Sequence, residues 1–413
     1  MSRQRSRPPS SPCLPWLLLA PLLLAPAPAR AGFTETLPQG VFLLEGAYYH
    51  STLDRAYDDA GNVRPIIDEI PRYEPGGGKQ GVIRPEAEVD FRIMVWLLQY
   101  GLLDWLSIGV GVPVVMASEV QPNLGWEPGD HQPALGHPYS EEEFWQWAAS
   151  MDQPKPGSWS RDEPTLSDVV CGLRYRFSEH LPSLQGSGFA MALHAAYALP
   201  TGEPPDPEEV VAAGTTSWDL HSQGELQLHL AAEQTFGESL DGRLTLGLDL
   251  FYEAFLEREY TTPTGKKHPL LLNQEDYAGP TYTLDPGDFW GAAVQATVVP
   301  WKGPLLATWL SRGGSPAARG FPPLLSLSLL YRHTRIGQSD WNSRSPLWDW
   351  QHEMSWRPGY KNILEGRITL SLLRIGAPLQ LYLGYRDQQL IGGKNSRPSN
   401  VLSAGLQLLA RLW

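Results

Sequence analysis

The sequence predicts an all-β transmembrane protein, an antiparallel up-and-down β-barrel of about 12 strands with a short helix in a long external loop. Three observations support this fold class. Long segments alternate between apolar and polar residues, the connections between them alternate between short and long, and many aromatic residues fall near segment ends. Alternation with a period of two is typical of strands, and a strand that crosses a bilayer at a tilt needs roughly 9 to 11 residues.

The composition agrees with a barrel and excludes other classes. Hydrophobic residues make up 42% of the 413 residues and the mean hydropathy is -0.27, values too polar for a bundle of membrane helices. The 16 Trp and 16 Tyr could form the aromatic girdles of a barrel or could be ordinary core residues. The net charge of -13 disfavours a nucleic-acid partner, because binding to phosphates depends on basic side chains.

The N-terminus has the pattern of a secretory signal peptide, residues 1–31, which would leave residues 32–413 as the outer-membrane β-barrel. A basic segment with three arginines precedes a short apolar stretch, and Ala29 and Ala31 frame a small-x-small cleavage site before Gly32. We therefore expect export from the cytoplasm and insertion into the bacterial outer membrane.

The clearest predicted element is a hairpin of two long strands, from Trp218 to Glu259. Leucines occupy alternate positions on both strands, and polar or charged residues fill the positions between them. In a bilayer the leucines would face lipid and the polar residues would face the lumen. A soluble sandwich would show the same alternation, so the environment of the two faces depends on the rest of the chain.

The same alternation predicts the other strands. In Glu86 to Gln99 we assign the charged residues to the lumen and the apolar ones to lipid. Pro113 predicts a bulge or a rim position, because proline cannot donate to a strand ladder. Besides the hairpin, the predicted strands are Gly40 to Ser51, Glu86 to Gln99, Trp105 to Met116, Ser167 to Phe177, Ser187 to Leu199, Gly287 to Pro300, Pro323 to Gly337, Lys361 to Leu373, Leu379 to Leu390 and Asn400 to Trp413.

The longest connection, Ala117 to Pro164, contains the predicted helix. Ser140 and Glu143 have the spacing of a capping box, and the helix would run to Met151. An aromatic helix in an external loop could fold inward and plug or gate the barrel, it could bind an apolar solute, or it could cover its own loop. The candidate plug residues are Phe144, Trp145 and Trp147.

Charged residues on the predicted inner faces form the candidate solute path. Charges there cost little in water, whereas Arg or Lys facing lipid at the midplane would cost roughly 2 to 4 kcal/mol. Ion pairs that only brace the barrel are the alternative interpretation. The candidate lumen-lining residues are Glu88, Asp90, Arg92, Arg174, Arg176, Glu225, His229, Arg243, Asp249, Glu253, Arg367 and Arg386.

We predict no catalytic residues, no cofactor and no metal site. His221, Glu225 and His229 share one face, but the two imidazoles would lie roughly 13 Å apart along the strand, too far for one ion. His221 and Ser222 are adjacent and point to opposite faces, which excludes a hydroxyl–imidazole pair between them. A lipid hydrolase remains an alternative class, because some twelve-stranded barrels, such as outer-membrane phospholipases, are enzymes.

Three segments have the form of recurring hairpin motifs: Tyr100 to Pro113, Leu166 to Phe177 and Leu199 to Glu203. They resemble the motifs of a family of outer-membrane transporters labelled as belonging to the meta-cleavage pathway of phenol degradation. The resemblance implies a barrel and suggests the passage of hydrophobic or aromatic compounds. It supplies no binding residues that could be carried over to this sequence.

We therefore expect a channel that passes small molecules, hydrophobic or aromatic ones included, by diffusion through a charged lumen. A structural or surface-recognition barrel without transport and a barrel-embedded lipid hydrolase are the two alternatives. The expected partners are outer-membrane lipid, the barrel-assembly machinery and the small-molecule solute.

Overall fold

The computed structural model describes most of the chain beyond the predicted signal peptide. The predicted signal peptide, Met151, Trp218, His221, Ser222 and Trp413 lie outside the described residues. The described residues are 32–66, 69–73, 78–129, 137–150, 155, 157–202, 224–237, 243–261, 281–302, 322–342 and 358–411.

Twelve antiparallel strands form a closed barrel, as predicted. Each strand pairs with the next along the chain, and the last strand pairs with the first, which leaves no free edge. The strands are β1 (Val41–Leu53), β2 (Glu88–Leu103), β3 (Leu106–Gln121), β4 (Val169–Tyr175), β5 (Phe189–Leu199), β6 (Glu225–Thr235), β7 (Leu244–Phe255), β8 (Phe289–Trp301), β9 (Leu325–Ile336), β10 (Gly359–Ser371), β11 (Leu379–Asp387) and β12 (Asn400–Arg411).

An apolar belt covers the outside of the barrel. Leu228 on β6, Leu248 on β7 and Leu406 on β12 are 44%, 42% and 42% exposed. The residues that alternate with them along each strand point inward and are buried or half-buried. So many exposed leucines would be a defect in water, but they match the hydrocarbon of a bilayer. The belt and the closed ring are those of a bacterial outer-membrane protein. The described part of the chain contains no helix with the length and apolar character needed to span a bilayer.

An irregularity lies beside Pro113, as its missing N–H predicts. Leu166 pairs with Val114 and Val170 pairs with Gly111, so four steps along one strand match three steps along β3. The chain that pairs with β3 therefore has one residue more than β3 at this point. The hydrogen-bond ladder with β3 is interrupted there, opposite the proline, between the short strand Thr165–Leu166 and β4.

The prediction of which face of β2 points into the lumen is wrong. Leu97 pairs with the inward Glu45, and the apolar residues Val89 and Phe91 are buried. Glu88, Asp90 and Arg92 therefore point outward. These charges lie at the loop end of the strand, where an outward side chain meets water rather than lipid. From these charges toward the turn end, both faces of β2 are apolar. Alternation there does not distinguish the lumen face from the lipid face.

The ends of the barrel differ. Short turns join most strands at one end, which is periplasmic in outer-membrane barrels, and longer loops join them at the other. The exception at the turn end is the connection from Trp301 on β8 to Leu325 on β9, which is longer. Among the described residues, the turn end contains the 3₁₀ turns Phe177–His180, Pro182–Leu184 and Leu372–Ile375. The loop end contains the short strands Arg55–Tyr57, Val63–Pro65, Ile70–Tyr73, Lys79–Pro85, Leu124–Pro128, Trp159–Arg161, Thr165–Leu166, Arg258–Thr261, Thr281–Asp285, Asp340–Asn342 and Gly393–Lys394, and the helix α1 (Glu141–Ser150).

Candidate functional site: the barrel lumen

The N-terminal segment, residues 32–39, enters the lumen and crosses its turn end. Leu37 donates its backbone N–H to Ser107 Oγ on β3 at 2.8 Å, and Arg174 Nη1 on β4 donates to the carbonyl of Glu35 at 3.1 Å. Nearer its N-terminal end, the segment contacts Glu233 on β6 through Thr34. No pattern in the sequence predicts this segment inside the barrel.

One side of the lumen, which we call the charged wall, consists of the inward charged and polar side chains of β6 to β12 and β1. Its centre is Glu365, which accepts hydrogen bonds from Arg367 Nη2 at 2.8 Å and from Arg386 Nη2 at 2.9 Å. The three side chains are only 10–13% exposed. Each guanidinium therefore has a carboxylate partner in a poorly hydrated site, where an unpaired charge would be costly.

Glu45 on β1 extends this network across the closure of the barrel. Its carboxylate accepts hydrogen bonds from Tyr382 Oη at 2.7 Å and from Gln407 Nε2 at 2.8 Å. The guanidinium of Arg367 lies 4.8 Å from the centre of the Tyr382 ring, a cation–π distance. The network thus joins the first strand to the last three.

Two further cations lie over aromatic rings. The Arg332 guanidinium is 4.2 Å from the centre of the Phe251 ring, and its Nη1 is 3.8 Å from Glu253 Oε1. Lys361 Nζ is 4.7 Å from the centre of the Phe289 ring. Buried cations here are stabilised by π faces as well as by carboxylates.

The histidines of the lumen form a pair rather than a metal site. His229 Nδ1 lies 2.9 Å from Asp249 Oδ2, and the His194 and His229 rings are 5.1 Å apart. Among the described residues, no group of three or more His, Cys, Asp and Glu side chains could hold a metal ion. The pair links β5 to β6 and marks the border of the charged wall.

The other side of the lumen, which we call the small-residue wall, consists of the inward residues of β2 to β5. Alanine fills four of the five inward positions of β5, and Gly109, Gly111 and Gly172 lie at inward positions of β3 and β4. The rest of the wall is apolar apart from a few polar groups. A cavity that opens to solvent lies along this wall, and about 620 Å³ of it, open solvent included, is not filled by protein atoms. Its inward lining includes Val95, Leu97, Ser107, Gly109, Gly111, Val170, Gly172, Arg174, His194 and Ala196, with Glu35 of the N-terminal segment.

The structure divides the predicted lumen residues into three groups. Glu88, Asp90 and Arg92 lie outside the barrel, as described above. Arg176 and Arg243 lie at the rim of the turn end, where Arg176 Nη2 donates to the carbonyl of Asp104 at 3.2 Å and Arg243 is exposed. The residues that point into the lumen are Arg174, Glu225, His229, Asp249, Glu253, Arg367 and Arg386.

The aromatic residues predicted as a plug belong to the loop end. Helix α1 packs on the sheet formed by Ile70–Tyr73, Lys79–Pro85 and Leu124–Pro128. Phe144 is 1% exposed and stacks on Trp126 with 3.8 Å between ring centres, and Trp145 and Trp147 pack in the same cluster. These contacts match the alternative in which the helix covers its own loop.

Sequence reasoning missed Arg332 and Lys361, although a signal for both was present. Leu327 and Leu329 point outward on β9, so the alternation places Arg332 inward, and its neighbour strand places Lys361 on the same face. The N-terminal segment had no comparable signal, because a short irregular segment has no periodicity from which burial could be predicted.

Comparison with known proteins supports the fold. The chain is similar to the COG4313 outer membrane channel from Pseudomonas putida F1, at 12% sequence identity and a TM-score of 0.53 over 92% of this chain and 98% of that chain. Two more distant barrels are the translocator domain of the autotransporter NalP from Neisseria meningitidis (8% identity, 91% and 90% coverage, TM-score 0.40) and the Ralstonia pickettii toluene transporter TbuX (7% identity, 92% and 92% coverage, TM-score 0.34). No protein-family model and no curated protein matches the chain. The chain therefore shares its barrel fold with a bacterial outer-membrane channel.

Proposed function

We propose that the protein is an outer-membrane channel through which small hydrophobic or aromatic molecules diffuse. The observation that carries this proposal is the unequal filling of the described part of the lumen, where a cavity lies along the small-residue wall. Gly109, Gly111 and Gly172 present no side chain to this space, while Val95 and Leu97 give it an apolar surface. A path of this kind favours a flat or slender apolar solute over a strongly hydrated one.

Polar groups at the base of the cavity support a preference for solutes with one hydrogen-bonding group. Arg174 and His194 line the cavity beside the apolar residues. A phenol or a similar aromatic molecule could place its ring against Leu97 and its hydroxyl toward Arg174. The sequence resemblance to transporters of phenol degradation points to the same chemical class.

The charged wall supports the barrel rather than forming the main path. Its carboxylates and guanidiniums contact one another across neighbouring strands, and Glu253 is 1% exposed. Side chains packed this closely leave little room for a solute or its hydration shell. The predicted charged lumen then serves mainly to brace the strands, and its charges border the path along one side.

The N-terminal segment is the element best placed to restrict the path. It crosses the turn end of the lumen and contributes Glu35 to the cavity lining. We propose that this segment, rather than the aromatic helix α1, sets the width of the channel.

Two other functions remain as alternatives to be tested. A structural or surface-recognition barrel would keep the same lipid belt and bracing but would pass no solute. A lipid hydrolase would need a nucleophile within hydrogen-bond reach of a base, and the sequence positions considered for it, His221 and Ser222, lie outside the described residues.

The direct test is reconstitution of the folded protein in liposomes. Flux of phenol and of a hydrated sugar of similar mass would be measured beside release of fatty acid from the same liposomes. We expect phenol flux above that of protein-free liposomes, weaker sugar flux, and no release of fatty acid. Absence of flux for both solutes would favour a structural barrel, and release of fatty acid would favour a hydrolase.

A further inference from the structure

Glu233 is an unusual carboxylate at the turn end of β6. It is 7% exposed and points into the lumen, where the N-terminal segment surrounds it with donors. The backbone N–H of Thr34 donates to Glu233 Oε2 at 3.2 Å, and the Thr34 hydroxyl donates to the same oxygen at 2.5 Å. The backbone N–H of Phe33 donates to Oε1. Three donors from two consecutive residues therefore converge on one buried carboxylate.

The described residues provide no positive side chain for this carboxylate. Neither Arg, Lys nor His in the described part of the chain forms an ion pair with Glu233, whereas Glu365 on the charged wall has two guanidiniums. Burial of an anion is costly, and a cation within contact distance reduces that cost. Neutral donors alone leave the negative charge of Glu233 uncompensated.

Gly32 lies against the same carboxylate. A Cβ placed on Gly32 would overlap both carboxylate oxygens of Glu233, so a side chain at this position would displace the carboxylate. The Gly32 backbone nitrogen is one bond of about 1.5 Å beyond its Cα, and so it lies close to the carboxylate. Whatever charge that nitrogen carries acts directly on Glu233.

The predicted cleavage site determines that charge. Hydrolysis of the Ala31–Gly32 peptide bond by a signal peptidase consumes one water and leaves a carboxylate on Ala31 and an ammonium on Gly32. An α-ammonium is largely protonated at neutral pH, because its ordinary pKa is about 7.7 to 8.0. In the uncleaved chain the same nitrogen is a neutral amide.

The neighbours of Glu233 provide space for the new N-terminus. Its strand partners are Ala190 on β5 and Gly247 on β7, the smallest residues available. The Phe33 ring fills the space over Gly247, where a Cβ would approach the ring to 2.9 Å. The site is therefore shaped for a glycine terminus followed by an aromatic residue.

We propose that Glu233 is the binding site for the α-ammonium of the processed chain, and that removal of the signal peptide creates the ligand. The ion pair between Gly32 and Glu233 anchors the N-terminal segment across the lumen. An unprocessed chain lacks both the charge and the free end needed to occupy this site. The proposal concerns the mature N-terminus and holds whether or not the barrel passes solutes.

The test measures the N-terminus itself. The full chain is exported with its own signal peptide, purified as the folded barrel, and treated near neutral pH with an amine-acylating reagent. Mass spectrometry then reports the first residue and the rate at which its α-amine is acylated. The variants are Glu233→Gln, which keeps the shape but removes the charge, and Glu225→Gln as a matched control on the same strand. A third variant carries one extra glycine before Gly32, which moves the ammonium by about 3.5 Å while keeping Glu233.

We expect Gly32 as the first residue, with an α-amine that is acylated about tenfold faster in Glu233→Gln and in the extended variant than in the wild type. Glu225→Gln should match the wild type. Folding of each variant is checked by heat-dependent migration in a denaturing gel. A mature terminus other than Gly32, or equal acylation rates in folded wild type and in both altered proteins, would overturn the proposal.

Discussion

The charged wall and the small-residue wall share one lumen but fill it in opposite ways. On the charged wall, Glu365 holds Arg367 and Arg386 in hydrogen bonds of 2.8 and 2.9 Å. On the small-residue wall, Gly109 and Gly111 have no side chain at all, and the cavity lies in front of them. The difference shows that charges in a barrel lumen do not by themselves mark a water-filled path.

The contrast has a physical basis. A buried charge needs a partner of opposite sign, so inward charges occur together as ion pairs. The linked side chains occupy the space in front of their strands. Glycine and alanine have no charged group that needs a partner, and they leave the space in front of their strands empty or available to a ligand. Among the described residues, the linked charges and the cavity therefore lie on different strands.

The largest expected effect follows from breaking the charged wall at its centre. Glu365→Gln removes the carboxylate that Arg367 and Arg386 share and breaks both ion pairs in a poorly hydrated site. We expect the unfolding free energy to fall by about 3 to 5 kcal/mol, the usual cost of breaking a buried ion pair by removing one partner. Urea unfolding in lipid vesicles would measure it.

The matched control is Glu88→Gln, the same change at an exposed position outside the barrel. It should alter stability by no more than about 0.5 kcal/mol. Similar losses in the two variants would mean that the charged wall does not support the barrel.

The next effect concerns the outer surface shared by both walls. Leu228→Arg places a cation on the lipid-facing belt, where Leu228 is 44% exposed, and should cost roughly 2 to 4 kcal/mol if it lies near the midplane. Leu390→Arg makes the same change in a loop, at a residue that is 69% exposed. The yield of heat-modifiable barrel in outer membranes should fall for Leu228→Arg only, and equal yields would contradict the assigned faces.

A smaller effect compares the two elements that could narrow the path. Deleting residues 33–37 removes the segment that crosses the small-residue wall, and we expect phenol flux in liposomes to rise by about tenfold as the passage widens. Deleting Tyr139 to Ser150 removes the helix that packs over its own loop, and flux should stay near the wild-type value. A rise in flux on deletion of the helix, with no change on deletion of residues 33–37, would instead support the helix as the plug.

The smallest effect lies outside both walls, at the start of helix α1. The backbone N–H and hydroxyl of Ser140 donate to Glu143 Oε2 at 2.9 and 2.8 Å, and these hydrogen bonds hold the pKa of Glu143 below its ordinary value. A lowered folded-state pKa adds stability above the ordinary glutamate pKa, and that stability is lost as the pH falls through the lowered value. The protection factors of the α1 amides, corrected for the intrinsic exchange rate, should fall between about pH 5 and about pH 3. Ser140→Ala removes the hydroxyl donor but keeps the backbone donor, so it should weaken this dependence.

The twelve strands were predictable because alternation and connection length act together over the whole chain. The outward leucines of β6 and β7 and the inward alanines of β5 follow that pattern. β2 could not be phased this way, since Val95, Trp96, Leu97 and Leu98 are all apolar and both faces look alike.

The site was predictable only in part. Arg174, Asp249 and Arg367 could be assigned to the lumen from local alternation, but the size of the cavity depends on which strands come together around it. The position of the N-terminal segment depends on contacts with Ser107 and Glu233, residues far away in sequence. No local pattern encodes such contacts.

A solute path along the small-residue wall is tested most directly by a substitution that fills the cavity without disturbing the barrel. A Cβ on Gly111 would meet only ordinary contacts, 3.9 Å from Leu97 Cδ1 and 4.0 Å from Val170 Cβ, so Gly111→Leu can fill the space in front of the small-residue wall. Gly366→Leu makes the same change on the lipid face, where no atom lies within 4 Å of the added Cβ. We expect phenol flux to fall by about tenfold for Gly111→Leu and to be unchanged for Gly366→Leu. Unchanged flux in a folded Gly111→Leu barrel would contradict a path along the small-residue wall.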